Sequence, residues 1–336
     1  MRVCYLNHDT NPYTGSGRFC SFLIEALNKE IPDLQYKVLT REDLLPKNKF
    51  SLFLKFPKIR KEFKKYEIIH ALDGWPYGFL AVLGAFGLRK KVIITAIGTG
   101  AVQPLYNWWK RPLLKWAYKK ADKIVAVSNN TKKEILKIIP NLKIEVINHG
   151  VDYEKFQSLN PKLLYPKPYV LSVGAWKPRK GFDYSISAFE KLKDKFPDLK
   201  YVIVSKAPEE IKQKYDRVVF LENVSEKELI SLYKNAELFI LLPQDDNKDI
   251  EGFGLVFLEA AACGLPIIAS LGTSAEDAVK DNGILVDSKD IQEVAKAISE
   301  IVRNEDKKTL MSENSVKLAK AMSWRRAVGD YLKIYK

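Results

Sequence analysis

Glu251-Gly-Phe-Gly-Leu-Val-Phe-Leu-Glu259, then Ala-Ala-Ala-Cys-Gly264-Leu-Pro266 and the apolar run Ile267-Ile268-Ala269, sets a loop, a helix and a strand in quick succession. Just upstream, residues 237–242 form a short apolar run that Pro243 and the polar stretch 244–249 bring to an end. That run reads as a buried strand leaving into a loop. A helix then starts near Gly254. A helix start carries backbone N–H groups without intrahelical acceptors and about half a positive charge, which together favour a phosphate. Glu251 stands at the loop edge of that pocket and Glu259 lies within the helix, an arrangement that suits a sugar diphosphate. A glutamate ahead of a helix is equally a plain dipole partner. Glu259 is harder to explain that way. Val256, Phe257, Leu258 and the alanines 260–262 leave it little polar face, and a carboxylate in apolar company needs a partner.

At 336 residues the chain exceeds one typical core and points to two domains of about 150 residues each. Strand-like runs at 91–95, 124–127, 201–204 and 238–241 alternate with longer helical patterns, the order of an α/β doubly wound sheet met twice. Residues 153–168 are rich in Pro, Asn and Lys, with Pro161, Pro166 and Pro168 to stiffen them, and mark the boundary. Cys4, Cys20 and Cys263 are odd in number and lack metal-ligand spacing, which fits a reduced, cytoplasmic compartment. The chain opens directly on a strand at 3–6, with no signal-peptide core, and its longest apolar run, 79–88, is too short to span a bilayer. Any membrane contact is therefore expected to be peripheral.

Charge is unevenly placed. Through residue 164 there are 28 basic and 14 acidic residues, so the whole net charge of +14 belongs to the first half. Two stretches concentrate it. Residues 47–65 interleave Phe50, Phe53, Phe56, Ile59 and Phe63 with eight basic residues, the pattern of an interfacial amphipathic segment, although Pro57 is expected to break any single long helix there. Residues 105–118 add Trp108, Trp109 and Trp116, which favour a headgroup region. Both stretches also read as ordinary amphipathic helices with their aromatics in the core. No aromatic-stacking or zinc module accompanies the basic half, so a nucleic-acid partner is not expected.

The segment 251–259 resembles the E-x7-E signature of retaining glycosyltransferases of family 4, whose fold, GT-B, has two Rossmann-like doubly wound domains facing a central cleft. Further segments resemble the family in its order: Lys120-Ala-Asp122-Lys-Ile-Val-Ala-Val-Ser128, Val146-Ile-Asn-His-Gly150-Val-Asp152, Val170-Leu-Ser-Val-Gly174-Ala-Trp-Lys-Pro-Arg-Lys180-Gly181, Asp281-Asn-Gly283-Ile-Leu-Val-Asp287 and Ser323-Trp324. The resemblance implies an acceptor-binding domain over 1–160, a donor-binding domain over 161–323, and a final helix, about 324–336, packed back on the first.

It further implies metal-independent transfer of a hexose from a UDP-, GDP- or other nucleoside-diphosphate sugar to a lipid-linked or saccharide acceptor. No cofactor is implied. The basic first half then points to an anionic acceptor or to an anionic membrane, on its inner face. Glu251 and Lys180 carry the catalytic expectation. Arg179, Lys180, Phe253, Gly254, Leu255, Glu259, Gly15 and Gly17 carry donor binding, with Glu259 placed to hold ribose hydroxyls. Arg18, Asp73 and Gly98 are the acceptor-side candidates. Two positions depart from the family pattern. Ala175 stands where an Arg is common, leaving Arg179 or Lys177 to substitute, and Ile97 stands where a cleft histidine is common. The segment Thr14-Gly15-Ser16-Gly17-Arg18 is not a dinucleotide fingerprint, because Cys20 takes the third glycine's place and the preceding loop is long. His8 and His70 each read as facing the cleft or as structural. A GT-B sugar-nucleotide epimerase and a non-catalytic nucleotide-sugar-binding protein are the alternative functions.

Overall fold

The computed structural model of the chain describes residues 1–12, 14–45, 51–158, 162–245 and 249–336, without the side chains of 51–54. Phe50 and Phe53 therefore lie outside the described side chains. The chain divides into two compact units, Met1–His149 with Trp324–Lys336, and Gly150–Ser323.

The first unit holds six strands: β1 (Arg2–Leu6), β2 (Gln35–Leu39), β3 (Ile68–Ala71), β4 (Lys91–Ala96), β5 (Lys123–Ala126) and β6 (Glu145–Val146). They form one parallel sheet in the order β2-β1-β3-β4-β5-β6. The second unit holds β7 (Tyr169–Val173), β8 (Lys200–Val204), β9 (Val218–Leu221), β10 (Leu238–Leu241), β11 (Ile267–Ser270) and β12 (Gly283–Val286). Its sheet is also parallel, in the order β12-β11-β10-β7-β8-β9. Helices connect the strands, so the sheet faces are covered and the central strands read as continuous apolar runs. All five residues of β7, all four of β10 and all four of β11 are buried.

Strand order decides where ligands go. In the second sheet the chain leaves β7 toward β8 and β9 on one side and later toward β10, β11 and β12 on the other. The loops after β7 and β10 thus diverge and leave a crevice at the carboxyl edge, the topological switch point of doubly wound folds. In the first sheet β2 lies on one side of β1 and β3 on the other, so the corresponding crevice falls after β1 and β3.

The helix Trp324–Tyr335 belongs to the first unit, where buried polar groups tie it to the sheet. The Tyr335 hydroxyl lies 3.1 Å from that of Tyr5 and 2.8 Å from His70 Nδ1; His70 Nε2 bonds Thr95 Oγ1 at 2.8 Å. Burial holds His70 far below its usual pKa, at about 3, so the ring is neutral. Of the two readings of His70, the structure supports the structural one. His8 Nδ1 shares a 3.0 Å hydrogen bond with the Tyr77 hydroxyl.

Two expectations need correction. The hand-over between the units falls at 149/150 rather than 160/161. Residues Tyr153–Ser158 form a helix anchored within the second unit, where Gln157 Nε2 donates to the Ala262 carbonyl at 2.7 Å, and Val151 N donates to the Met322 carbonyl at 2.9 Å. Proline content marked a break in the chain, but these bonds set the boundary. Pro57 likewise does not end its helix, which runs Ser51–Phe63 with Pro57 inside. Proline removes one backbone donor, and packing outweighs that loss. Ile59 and Phe63 are buried, and Arg60 Nη1 donates to the Gly84 and Phe86 carbonyls.

Candidate functional site

Within the second unit, the loops after β7 and β10 meet at the switch point. The first passes through a short 3-10 turn, Pro178–Lys180, and ends at Gly181 in a left-handed conformation, φ 67°. A Cβ on Gly181 would stand 2.0 Å from the Leu242 carbonyl oxygen, so only glycine lets this loop lie against the end of β10. The loops are also joined directly, Gln244 N donating to the Arg179 carbonyl at 2.8 Å, and Gln244 Nε2 bridges to Leu242 O and Ser288 Oγ.

This contact sets two cations against one carboxylate. Lys180 Nζ lies 2.6 Å from Glu251 Oε2, and Arg179 Nε lies 3.5 Å from the same oxygen. Arg179 Nη1 reaches Asp249 Oδ1 at 3.4 Å. Lys180 and Glu251 are each more than 90% shielded from solvent as residues, so their charges act through little water and count for more than on a surface. Burial alone would raise the Glu251 pKa. Lys180 first, then Arg179, outweigh it and hold the carboxyl below the usual carboxylate range. At neutral pH Glu251 is therefore ionised, an acceptor of hydrogen bonds and not a proton donor. Of the two basic residues near Ala175, Arg179 stands beside Glu251, whereas Lys177 is exposed.

The helix Leu255–Ala262 follows directly. Gly254 caps it at φ 80° with no side-chain cap, and Phe253 is buried beneath the turn. The backbone donors of its first turn are thus not taken up by a capping side chain. Glu259 lies deeper in this helix and is 3% exposed; the Tyr233 hydroxyl donates to its Oε2 at 3.1 Å. Tyr233 is the partner that the apolar surroundings of Glu259 demanded, and it could not be picked from sequence because it comes from a helix 26 residues earlier. Gln244 and Asp249 were also missed as individuals. Their signal was the polar run after β10. An open depression of about 650 Å³ adjoins these residues, lined by Arg179, Asp183, Tyr184, Ser187, Gln244 and Asp249 among others.

In the first unit, the loop after β1 folds onto the helix Gly15–Glu30. Thr14 caps that helix, its Oγ1 accepting from Gly17 N at 3.0 Å and donating to Asp9 Oδ1 at 2.7 Å. A Cβ on Gly17 would meet Asn11 O at 2.2 Å, whereas one on Gly15 would meet nothing within 4 Å. Gly17 thus packs the loop onto the helix. The guanidinium of Arg18 lies over the Phe22 ring, 5.4 Å from its centroid. Asp73, after β3, accepts from Gly74 N at 2.7 Å and faces the loop after β4, since a Cβ on Gly100 would stand 2.0 Å from its Oδ2. Burial raises the Asp73 pKa to about 7, against hydrogen bonds from Gly74 and Ile97 that lower it. Gly98, at φ 82°, turns the chain there. The structure therefore brings Asp73 together with the Ile97–Gly98 turn. Among the described residues no three His, Cys, Asp or Glu side chains stand together as a metal site.

Two parallel doubly wound units, each with charged loops at its switch point, are the architecture of the GT-B fold, and comparison with known proteins adds the family. Residues 24–155 match Glycosyltransferase Family 4 and residues 155–318 match Glycosyl transferases group 1. The chain belongs to these glycosyltransferases. It is 25% identical to an uncharacterized glycosyltransferase of Methanocaldococcus jannaschii over 96% of this chain and 95% of the relative. It is 26% identical, over 75% of this chain and 73% of the relative, to the GDP-mannose-dependent alpha-(1-6)-phosphatidylinositol monomannoside mannosyltransferase of Mycolicibacterium smegmatis. Among solved structures, Anabaena HepE in complex with UDP superposes with a TM-score of 0.79 at 16% identity, covering 100% of this chain and 99% of that one.

Proposed function

We propose that this glycosyltransferase moves a hexose from a nucleoside-diphosphate sugar to a hydroxyl of a lipid-linked or saccharide acceptor, with retention of configuration and without a divalent cation. The reading is carried by the 2.6 Å pair of Lys180 and Glu251, set where the loops after β7 and β10 meet at the start of the helix Leu255–Ala262. The diphosphate lies against Lys180, Arg179 and the helix start. As the bond from the anomeric carbon to the terminal phosphate oxygen breaks, its electron pair goes to the diphosphate, and donors already in place meet the growing charge. The acceptor oxygen bonds the anomeric carbon as its proton passes to an oxygen of the departing diphosphate. Glu251, ionised between its cations, accepts from a sugar hydroxyl and orients the ring. Phe253, Gly254 and Leu255 shape the turn that meets the diphosphate, and Glu259 serves the ribose. In the first unit we assign Gly15 and Gly17 to donor binding and Arg18, Asp73 and Gly98 to the acceptor, with backbone groups near Gly98 taking the role of the histidine whose place Ile97 holds. The GDP-mannose and phosphatidylinositol chemistry in the name of the mycobacterial relative, and the UDP held by HepE, support a nucleotide-sugar donor and favour an anionic lipid-linked acceptor.

The test is Glu251→Ala against the wild type, with a panel of UDP-, GDP-, ADP- and TDP-sugars and acceptors. Transfer is expected to fall by about 10²–10³, the range for removing a preorganised polar group from such a site, with the circular dichroism spectrum unchanged. Full activity in the variant would overturn the assignment. Proton NMR of the product reads the anomeric configuration, and activity undiminished by EDTA is expected.

A further inference from the structure

We propose that the first unit carries a docking surface for an anionic lipid bilayer, built around Trp108, Trp109 and Phe86. Residues 74–121 contain eight Lys and Arg and not one Asp or Glu. The structure gathers aromatic rings from three separate parts of this acid-free segment. Phe86 touches Trp116 (centroids 6.4 Å apart), Trp116 touches Phe79 (6.0 Å), Phe79 stacks on Trp75 (5.5 Å) and Trp75 meets Trp109 edge-on (5.6 Å). Trp75, Phe79 and Trp116 are half-buried and form the base of the cluster. Phe86, 63% exposed, and Trp109, 44%, stand out from it, and Trp108, next to Trp109 in the chain, is 86% exposed.

Large rings this open to water have no structural purpose that burial would serve, and a contiguous apolar patch marks a contact surface. The surrounding charge says which surface. Lys110 Nζ lies 5.2 Å from the Trp109 ring centroid and 6.0 Å from that of Trp75, and Arg111, Lys115, Lys119 and Lys120 follow on the same helix, Lys110–Lys120. Indole rings partition to the headgroup level of a bilayer, and nearby cations are drawn to anionic lipid. An acidic protein partner would meet the cations but would leave Trp108 and Phe86 with no comparable apolar layer to enter. No described helix is long and apolar enough to cross a membrane, so the contact lies in the interface plane. Trp75 is two residues from Asp73, so this surface adjoins the acceptor-side loop. It therefore extends the proposed function to an acceptor held in the membrane, while the binding itself does not depend on that function.

The experiment is flotation of the purified full chain with vesicles of phosphatidylcholine alone or with one third phosphatidylglycerol. Binding to the anionic vesicles only, weakened by 0.5 M salt, is expected. Trp108→Ala with Phe86→Ala should weaken it at least tenfold, and Lys115→Glu with Lys119→Glu similarly, each side chain being replaced at a site at least partly open to solvent. Glu251→Ala should float as the wild type does, which separates this surface from donor chemistry. Failure of the wild type to float, equal flotation of the variants, or a Trp108-dependent self-association in place of vesicle binding would overturn the proposal.

Discussion

Glu251 draws its charge partners from a loop more than seventy positions earlier, and that loop reaches it because of one glycine. At Gly181 the left-handed backbone and the 2.0 Å approach to Leu242 O act together. Gly181→Ala is expected to destabilise the chain by at least about 1–2 kcal/mol, the penalty of a left-handed non-glycine residue, with the clash added, and to weaken donor binding by pulling Lys180 and Arg179 away from β10. Gly15→Ala is the contrast. Open space and a helical position make it neutral or stabilising by about 0.5 kcal/mol, while Gly17→Ala, driven into Asn11 O, destabilises. Urea denaturation of the three variants checks the order, and a Gly181→Ala chain as stable as Gly15→Ala would refute it. Sequence placed Gly15 and Gly17 on the same footing, because spacing shows where glycines fall and not which atoms approach them. The Lys180–Glu251 pair was legible as two members of one site through family resemblance. The tight bond between them needed the strand order, since no local pattern links positions so far apart.

At the scale of elements, the helices and strands were legible where hydrophobic runs are long, as at β4, β5, β8 and β10. The boundary helix Tyr153–Ser158 and the proline-containing helix Ser51–Phe63 were not, because tertiary bonds overrode local proline signals. The helix Trp324–Tyr335, by contrast, was expected from the family resemblance, and the polar knot of His70, Thr95, Tyr5, Tyr331 and Tyr335 is what holds it in place. His70 has a pKa of about 3 in the folded unit, below the 6.5 of a free histidine. The unfolded chain therefore binds the extra proton. The stability that neutral His70 supplies is fully present above pH 6.5 and is lost as pH falls toward 3, by at most about 1.4 kcal/mol per pH unit. Asp73 runs the other way. With its pKa raised from 3.8 to about 7, its contribution is present below pH 3.8 and is lost as pH rises through 7. Single-group comparison separates the two. Between pH 7 and pH 5 the first unit of wild type should lose more stability than that of His70→Gln, as read from denaturation midpoints. Equal losses would mean that His70 is not buried neutral.

Taken whole, the chain joins two units of unlike character. The unit Met1–His149 with Trp324–Lys336 carries 30 basic residues against 13 acidic, and Gly150–Ser323 carries 25 against 28. The charge surplus thus resides entirely with the unit that bears the aromatic surface, and the boundary read at 149/150 sharpens the asymmetry seen in sequence. The paired Lys180 and Glu251, by contrast, belong to the nearly neutral unit. A nucleoside diphosphate that binds there should stabilise that unit alone, since a ligand that prefers the native state adds about 2.7 kcal/mol at a hundred times its Kd. For a unit of this size the shift is about 5–10 °C. Scanning calorimetry with UDP or GDP should therefore show one transition moving upward and one unmoved. The unmoved one is identified as the first unit by its sensitivity to His70→Gln, and Lys180→Ala should abolish the shift of the other. Should the diphosphate move the His70-sensitive transition instead, the donor would have to be assigned to the basic unit and the roles of the two halves exchanged.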